Sequence, residues 1–131
     1  EVDMRMEHVA LNVADPAGMA AWWVEHLGLR VARRMESAPY THFLAEPESG
    51  VCLEVYCNPA NAVPDYVAQS ILQVHVAFVS GDPQTDRVRL EAAGATYVEA
   101  GGAGGDLIVT MRDPWGVPFQ LCRRGRALTA E

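Results

Sequence analysis

One phrase occurs twice in this chain. "EHVALNVADP" near the start returns as "VHVAFVSGDP" past the middle, and 67 residues separate both His8 from His75 and Asp15 from Asp82. A repeat of this length is too long for the unit of a solenoid, and two copies are too few for a repeat array. It indicates a duplicated half-domain, which strongly limits the folds that the chain can adopt.

Each copy contains the same order of predicted elements: a strand, a helix and three more strands. In the first copy these are "HVALNV", "ADPAGMAAWWVEHLG", "LRVARRM", "THFLAE" and "VCLEVYC". In the second copy, "VHVAFV" and a helix precede "ATYVEA", "DLIVTM" and "PFQLCR". The pattern predicts an α+β fold: two βαβββ modules in tandem, about residues 5–58 and 72–124, forming a curved mixed sheet with the helices on its convex side. A single domain, residues 1–131, is expected.

Both predicted helices carry start and stop signals. Asp15 and Asp82 are good N-caps, and each precedes a proline, which is tolerated in the first turn of a helix. Gly28 and Gly94 lie where a left-handed residue ends a helix. In the first helix, an apolar stripe at helical spacing predicts core packing by Met19, Trp22, Trp23 and Leu27.

Composition narrows the functional classes. The net charge of −7 disfavours nucleic acid and anionic membranes as partners, because both attract basic surfaces. No apolar run approaches the ~20 residues that cross a bilayer. The three cysteines form no C-x-x-C pair, which is typical of a reducing compartment. These features predict a soluble, cytoplasmic protein.

Strand alternation predicts which side chains share a face. In the first strand, Val9, Leu11 and Val13 are expected to pack under the helices, which leaves His8 and Asn12 on the opposite, concave face.

The other strands contribute to the same face. In the strand that matches the first, His75 is expected on the concave face with Gln73 and Ala77. In the closing strands, Glu54 and Tyr56 are expected there from the first copy, and Gln120 from the second, with Pro118 and Cys122.

The presence of four polar side chains on the predicted concave face needs a physical reason. A carboxylate among apolar strand residues costs several kcal/mol if it is desolvated without a partner. A cation supplies that partner, and two imidazoles, a carboxylate and an amide oxygen form a plausible ligand set for Zn, Ni, Co, Mn or Fe(II). The pattern therefore predicts one divalent metal ion, bound by His8, Glu54, His75 and Gln120.

The segments "EHLGL" and "DPWGVPFQL" resemble the vicinal oxygen chelate superfamily, which includes glyoxalases, bleomycin-resistance proteins and ring-cleaving dioxygenases. The resemblance covers nearly the whole chain. It implies paired βαβββ modules, with metal ligands on the first and last strands of each. Modules of this superfamily pair within a chain or between chains, so a homodimer is expected, and either pairing is possible.

Within the superfamily the chain is most similar to glyoxalase I. "VCLEVYCN" is similar to the segment that holds a glutamate ligand there, and Asn58 lies where that enzyme has an asparagine near glutathione. The resemblance implies a small-molecule substrate. The predicted substrate site consists of Asn12, Tyr56 and Asn58, and Trp115 lies in a turn where it could cover the cavity mouth.

The chain departs from glyoxalase I at important positions. Gln120 stands where a glutamate ligand is usual, and Asn12 and Ile71 stand where arginines hold glutathione carboxylates. An amide cannot accept a proton as a base, so Glu54 is the expected catalytic base, and a single base is enough for proton transfer between neighbouring carbons. The expected activity is a metal-dependent glyoxalase I-like lyase or isomerase, for which glutathione is a doubtful carrier.

Other readings stay open. A methylmalonyl-CoA epimerase also has one Gln and one Glu ligand, exchanged between modules, but needs a second base. An Fe(II) ring-cleaving dioxygenase could use His8, His75 and Glu54, although such enzymes usually take three ligands from one module. Fosfomycin-modifying transferases place the glutamate where this chain has Gln120. A metal-free drug-binding resistance protein needs none of these ligands.

Overall fold

Each half of the repeat folds into the predicted strand, helix and three strands. The computed structural model describes residues 1–131, which divide into two units, Glu1–Pro64 and Asp65–Glu131. The first unit contains β1 (His8–Asn12), α1 (Pro16–Leu27), β2 (Arg30–Arg34), β3 (His42–Ala45) and β4 (Cys52–Tyr56). The second contains β5 (Val76–Val79), α2 (Pro83–Ala92), β6 (Thr96–Gly101), β7 (Leu107–Arg112) and β8 (Pro118–Arg123).

Each unit has its own four-stranded sheet, and the two sheets share one topology. The strand orders are β1-β4-β3-β2 and β5-β8-β7-β6. In each sheet the first and last strands of the module are parallel, and the other neighbours are antiparallel. Ala10 opposes Glu54 in the first sheet, and Ala77 opposes Gln120 in the second. The α+β class and the tandem modules are therefore confirmed.

The predicted helix signals act as expected. Oδ1 of Asp15 accepts a hydrogen bond from the backbone N of Gly18 at 3.0 Å, and Gly28 ends α1 with a left-handed φ of 77°. Asp82 likewise accepts from the backbone N of Thr85 at 3.2 Å. Helix α2 ends at Ala92, and Gly94 follows with a φ of 105°. Local chemistry thus determines where both helices begin and end.

The helices cover one face of each sheet. In the first unit, α1 contacts β2, β3 and β4, and Met19 and Trp23 on the helix are fully buried, as are Leu44 and Val55 on the strands. Burial alternates along β4, so Glu54 lies on the face opposite the helix. In the second unit, the fully buried residues of α2, β7 and β8 include Leu90, Val109, Met111 and Phe119.

Two expectations about the strands are wrong. Val9 is 51% exposed, because α1 packs chiefly over β3 and leaves the start of the edge strand β1 uncovered. The strand expected from Val74 begins only at Val76, because the preceding residues form a turn in which the backbone N of Gln73 donates to the carbonyl of Ser70. His75 and Gln73 therefore lie outside β5.

Burial also differs from expectation in the last strand. Phe119 and Leu121 are buried as predicted, but Pro118 and Cys122 are buried as well, although alternation predicted the open face for them. Gln120 is only half-buried. Pro118 opposes Arg112, whose guanidinium holds the backbone carbonyls of Tyr66 and Gln69, so this segment covers the open face at the start of β8.

Candidate functional site

His8 and Glu54 meet on the open face of the first sheet. They lie on the neighbouring parallel strands β1 and β4, where His8 opposes Cys52 and Ala10 opposes Glu54. Nε2 of His8 is 3.3 Å from Oε1 of Glu54, and the side chains are 36% and 17% exposed. Strand alternation predicted a common face, and the register produces a direct contact.

A second carboxylate holds the other side of the His8 ring. Nδ1 of His8 is 2.9 Å from Oε1 of Glu7. A proton on Nδ1 that is donated to Glu7 leaves the lone pair of Nε2 facing the carboxylate of Glu54. Two lone pairs at this distance repel each other unless a positive charge, either a proton or a metal cation, lies between them. A proton or a metal ion at this point would remove the repulsion.

The spacing also fits a shared metal ion. Two ligand atoms at ~2.1 Å from one ion, separated by an angle of about 90–109°, are about 3.0–3.4 Å apart. The 3.3 Å between His8 and Glu54 falls in this range. Imidazole nitrogen and carboxylate oxygen are ligands suited to Zn, Ni, Co, Mn and Fe(II). These two residues fit half of a coordination shell.

The other two predicted ligands belong to the second unit. Nδ1 of His75 is 3.0 Å from the carbonyl oxygen of Ile71, a contact that orients the ring and leaves Nε2 as the nitrogen available to a metal ion. Nε2 of Gln120 donates to Oγ1 of Thr110 at 3.2 Å, which leaves the amide oxygen as the acceptor of that side chain. No group of three or more His, Cys, Asp or Glu side chains is placed to hold a metal ion. The contact between predicted ligands that the structure contains is the one between His8 and Glu54.

Asn12 and Asn58 fasten the loop that follows β4. Oδ1 of Asn12 accepts from the backbone N of Asn58 at 2.8 Å, and its Nδ2 donates to the carbonyls of Asn58 and Asn61 at 3.2 and 3.1 Å. Oδ1 of Asn58 accepts from the backbone N of Ala60 at 2.9 Å. Both amides thus have a structural task, and their predicted contact with substrate stays a prediction.

The two predicted aromatic substrate contacts are half-buried. Tyr56 lies two residues after Glu54 on β4, so both side chains are on the open face. Trp115 lies in the turn before β8, where its backbone N donates to Oδ1 of Asp113 at 2.9 Å.

Sequence reasoning missed a groove beside the His8–Glu54 pair. The ring of Phe43 meets that of His8 edge-on, with 5.5 Å between centroids. The groove has a volume of about 210 Å³ and is lined by Glu7, Ala32, Arg33, Phe43 and Cys52. Glu7 could have been predicted to lie near the site, because it directly precedes His8 in the sequence. The sequence carries no signal for Arg33, because its position depends on a register shift between β2 and β3.

Comparisons with known proteins agree with this fold. The sequence profile described as "Glyoxalase-like domain" matches residues 8–122. Among solved structures, SMU.1112c is 25% identical with a TM-score of 0.69, covering 93% of this chain and 100% of that chain. A search of curated proteins gave no significant match. Neither helix of the structure has the length and apolar content needed to cross a membrane.

Two further structural neighbours have informative names. TnmS3, an antibiotic binding protein from Streptomyces sp. CB03234, is 14% identical with a TM-score of 0.70, covering 92% of this chain and 96% of that chain. A glyoxalase-related enzyme from Fulvimarina pelagi is 17% identical with a TM-score of 0.66, covering 91% of this chain and 87% of that chain. Together with the profile match, these likenesses support the vicinal oxygen chelate fold, and the chain belongs to the glyoxalase-like domain family.

Proposed function

We propose that this protein is a divalent-metal-dependent, glyoxalase I-like lyase or isomerase that acts on a small substrate with vicinal oxygens. The observation that supports the proposal most directly is the 3.3 Å approach of Nε2 of His8 to Oε1 of Glu54, with Glu7 fixing the far side of the ring. His75 and Gln120 complete the proposed ligand set. Support for joining them to the first pair comes from the sequence repeat and the superfamily resemblance.

Glu54 is the proposed base. Its carboxylate removes the proton from the carbon next to the substrate carbonyl and returns it to the neighbouring carbon, so no external acid or base is consumed. Gln120 cannot take this role, because an amide does not accept a proton near neutral pH. A bound divalent ion would polarise the vicinal oxygens and stabilise the negative charge that develops on them.

Metal content and proton exchange together test this proposal. Protein purified without chelator should contain about one divalent ion per chain by elemental analysis. His8→Ala and His75→Ala should each reduce the occupancy strongly, and His26→Ala, which removes a histidine from α1, should leave it unchanged. Parent protein that stays metal-free after incubation with Zn, Ni, Co, Mn and Fe(II) would overturn metal dependence.

The base is tested by exchange of a substrate α-proton with deuterated solvent. Glu54→Gln preserves size and removes the base, so exchange should slow by ~10²–10⁴-fold. Gln120→Glu adds a carboxylate and should tighten metal binding. If Glu54→Gln exchanges as fast as the parent, Glu54 is not the base.

Antibiotic binding without metal is a second candidate function. It is favoured by the open groove with Phe43 in its lining, and by the fold shared with TnmS3, which is an antibiotic binding protein. The two candidates differ in a simple measurement. A binding protein should hold its ligand equally well in the presence of a chelator, whereas the proposed enzyme should lose both its metal and its turnover.

A further inference from the structure

A β-bulge in β2 determines the face on which Arg33 lies. Val31 pairs with Leu44, but the next pair is Arg33 with Phe43, so Ala32 is an extra residue in the strand. In a regular ladder Ala32 would oppose Phe43, and Arg33 would point toward the face that α1 covers. Bulges commonly redirect a side chain near a functional site. Here the bulge turns an arginine to the open face.

This arginine belongs to one row of residues across the sheet. Arg33 opposes Phe43, Phe43 opposes Glu54, and Glu54 opposes Ala10. Directly opposed residues share a face, so Arg33 lies on the face of the His8–Glu54 pair. Adjacent strands are ~4.8 Å apart, which puts the backbones of Arg33 and Glu54 about 10 Å from each other, with the Phe43 ring between them.

The guanidinium of Arg33 has no partner of its own in the structure. It forms no ion pair or hydrogen bond, whereas the neighbouring Arg34 pairs with Glu36 at 3.0 Å. The carboxylate of Glu7, which also lines the groove, is held by His8 at 2.9 Å. The guanidinium of Arg33 therefore has free donors in the groove, two strands away from Glu54.

We infer that Arg33 binds a carboxylate of the substrate. The substrate would be a small organic acid with vicinal oxygens at one end, a short carbon chain over Phe43 and a carboxylate at the other end. A guanidinium can bind a carboxylate through two parallel hydrogen bonds, which gives orientation as well as affinity. The inference rests on the proposed function, because it takes the vicinal oxygens to lie at His8 and Glu54. Allowing for the Arg and Glu side chains, the ~10 Å span suits an acid of about four to six carbons.

Two probe acids of equal chain length test the inference. Both 2-oxoglutarate and 2-oxopentanoate offer a carboxylate and an oxo group at one end, and only the former has a distal carboxylate. Binding to nickel-loaded protein is measured by calorimetry. The parent should bind 2-oxoglutarate about 10- to 100-fold more tightly, as expected for charge-assisted hydrogen bonds. Arg33→Gln should bring this ratio close to one, and Arg33→Lys should retain part of it.

Arg34→Gln is the matched control, because it removes the same charge from the next residue, whose side chain points to the other face. Its ratio should equal that of the parent. A parent ratio near one, a ratio that survives Arg33→Gln, or no binding of either acid to protein shown to hold nickel would each overturn the carboxylate subsite. Titration of the protein with nickel in the absence of either acid tests metal binding separately. Its failure would refute the metal-dependent function, whereas an Arg33-dependent ratio in the same protein would still support the subsite.

Discussion

The ring of His8 lies between two carboxylates, with Nδ1 2.9 Å from Glu7 and Nε2 3.3 Å from Glu54. The two acids differ in exposure, because the side chain of Glu7 is 86% exposed and that of Glu54 is 17% exposed. A carboxylate behind a histidine ligand orients the ring and raises its basicity. Glu7 is therefore expected to position His8 for the cation proposed beside Glu54.

Glu7→Ala should weaken divalent-metal binding by about 10-fold, the lower end of the range for such positioning groups, because Glu7 is well solvated. The measurement is a Ni²⁺ dissociation constant obtained against a competing chelator. Glu48→Ala, which removes an exposed carboxylate before β4, should leave the constant unchanged. Equal constants for parent and Glu7→Ala would show that Glu7 does not position His8.

Arg112 joins two segments of the second unit. Its Nη1 donates to the carbonyls of Tyr66 and Gly116 at 2.6 and 3.0 Å, and its Nη2 donates to that of Gln69 at 2.8 Å. Arg112→Met should lower the free energy of unfolding by about 2–4 kcal/mol, because three partly buried carbonyls lose a charged donor. Arg112→Lys should lose less. Urea unfolding measures the change, and Arg89→Met, at an exposed helix pair, should cost below ~1 kcal/mol. Similar losses for Arg112→Met and Arg89→Met would show that the three hydrogen bonds of Arg112 do not stabilise the fold.

Gly116 and Gly50 separate backbone strain from steric conflict. Both have a positive φ, 91° and 75°. A Cβ at Gly116 would lie 2.9 Å from the backbone N of Val67, whereas one at Gly50 would meet nothing within 4 Å. Gly50→Ala should cost about 1–2 kcal/mol from backbone strain alone, and Gly116→Ala should cost more. Equal losses of unfolding free energy for the two variants, measured in urea, would mean that the segment around Val67 can move aside without destabilising the fold.

The N-cap of α2 should make stability depend on acid pH. The hydroxyl and then the backbone N–H of Thr85 hold the pKa of Asp82 below its ordinary value of 3.8. A carboxyl whose folded pKa is lowered stabilises the fold above its unfolded pKa, and that stability is lost as pH falls through the folded pKa. The difference in urea midpoint between parent and Asp82→Ala should therefore be constant near neutral pH and shrink below pH 3.8. A difference that stays constant into strong acid would contradict the role of the ionised carboxylate.

Local chemistry in the sequence determined most of the fold. Asp15 and Gly28 delimit α1 through hydrogen bonds and backbone geometry that involve only near neighbours. The repeat predicted two modules, and strand alternation predicted that His8 and Glu54 share a face. These inferences depend on spacing along the chain, so the sequence was enough for them.

Tertiary structure decided what depends on pairing between distant segments. The bulge at Ala32 turns Arg33 to the open face, and no residue in β2 signals it, because a bulge exists only relative to a partner strand. Asn12 holds the backbone of residues 58–61, an interaction that could not be predicted before that loop was placed. His75 lies just before β5, because the turn at 70–73 delays the strand. Short-range rules fix the elements, whereas register and loop placement arise from many weak long-range contacts that no single segment encodes.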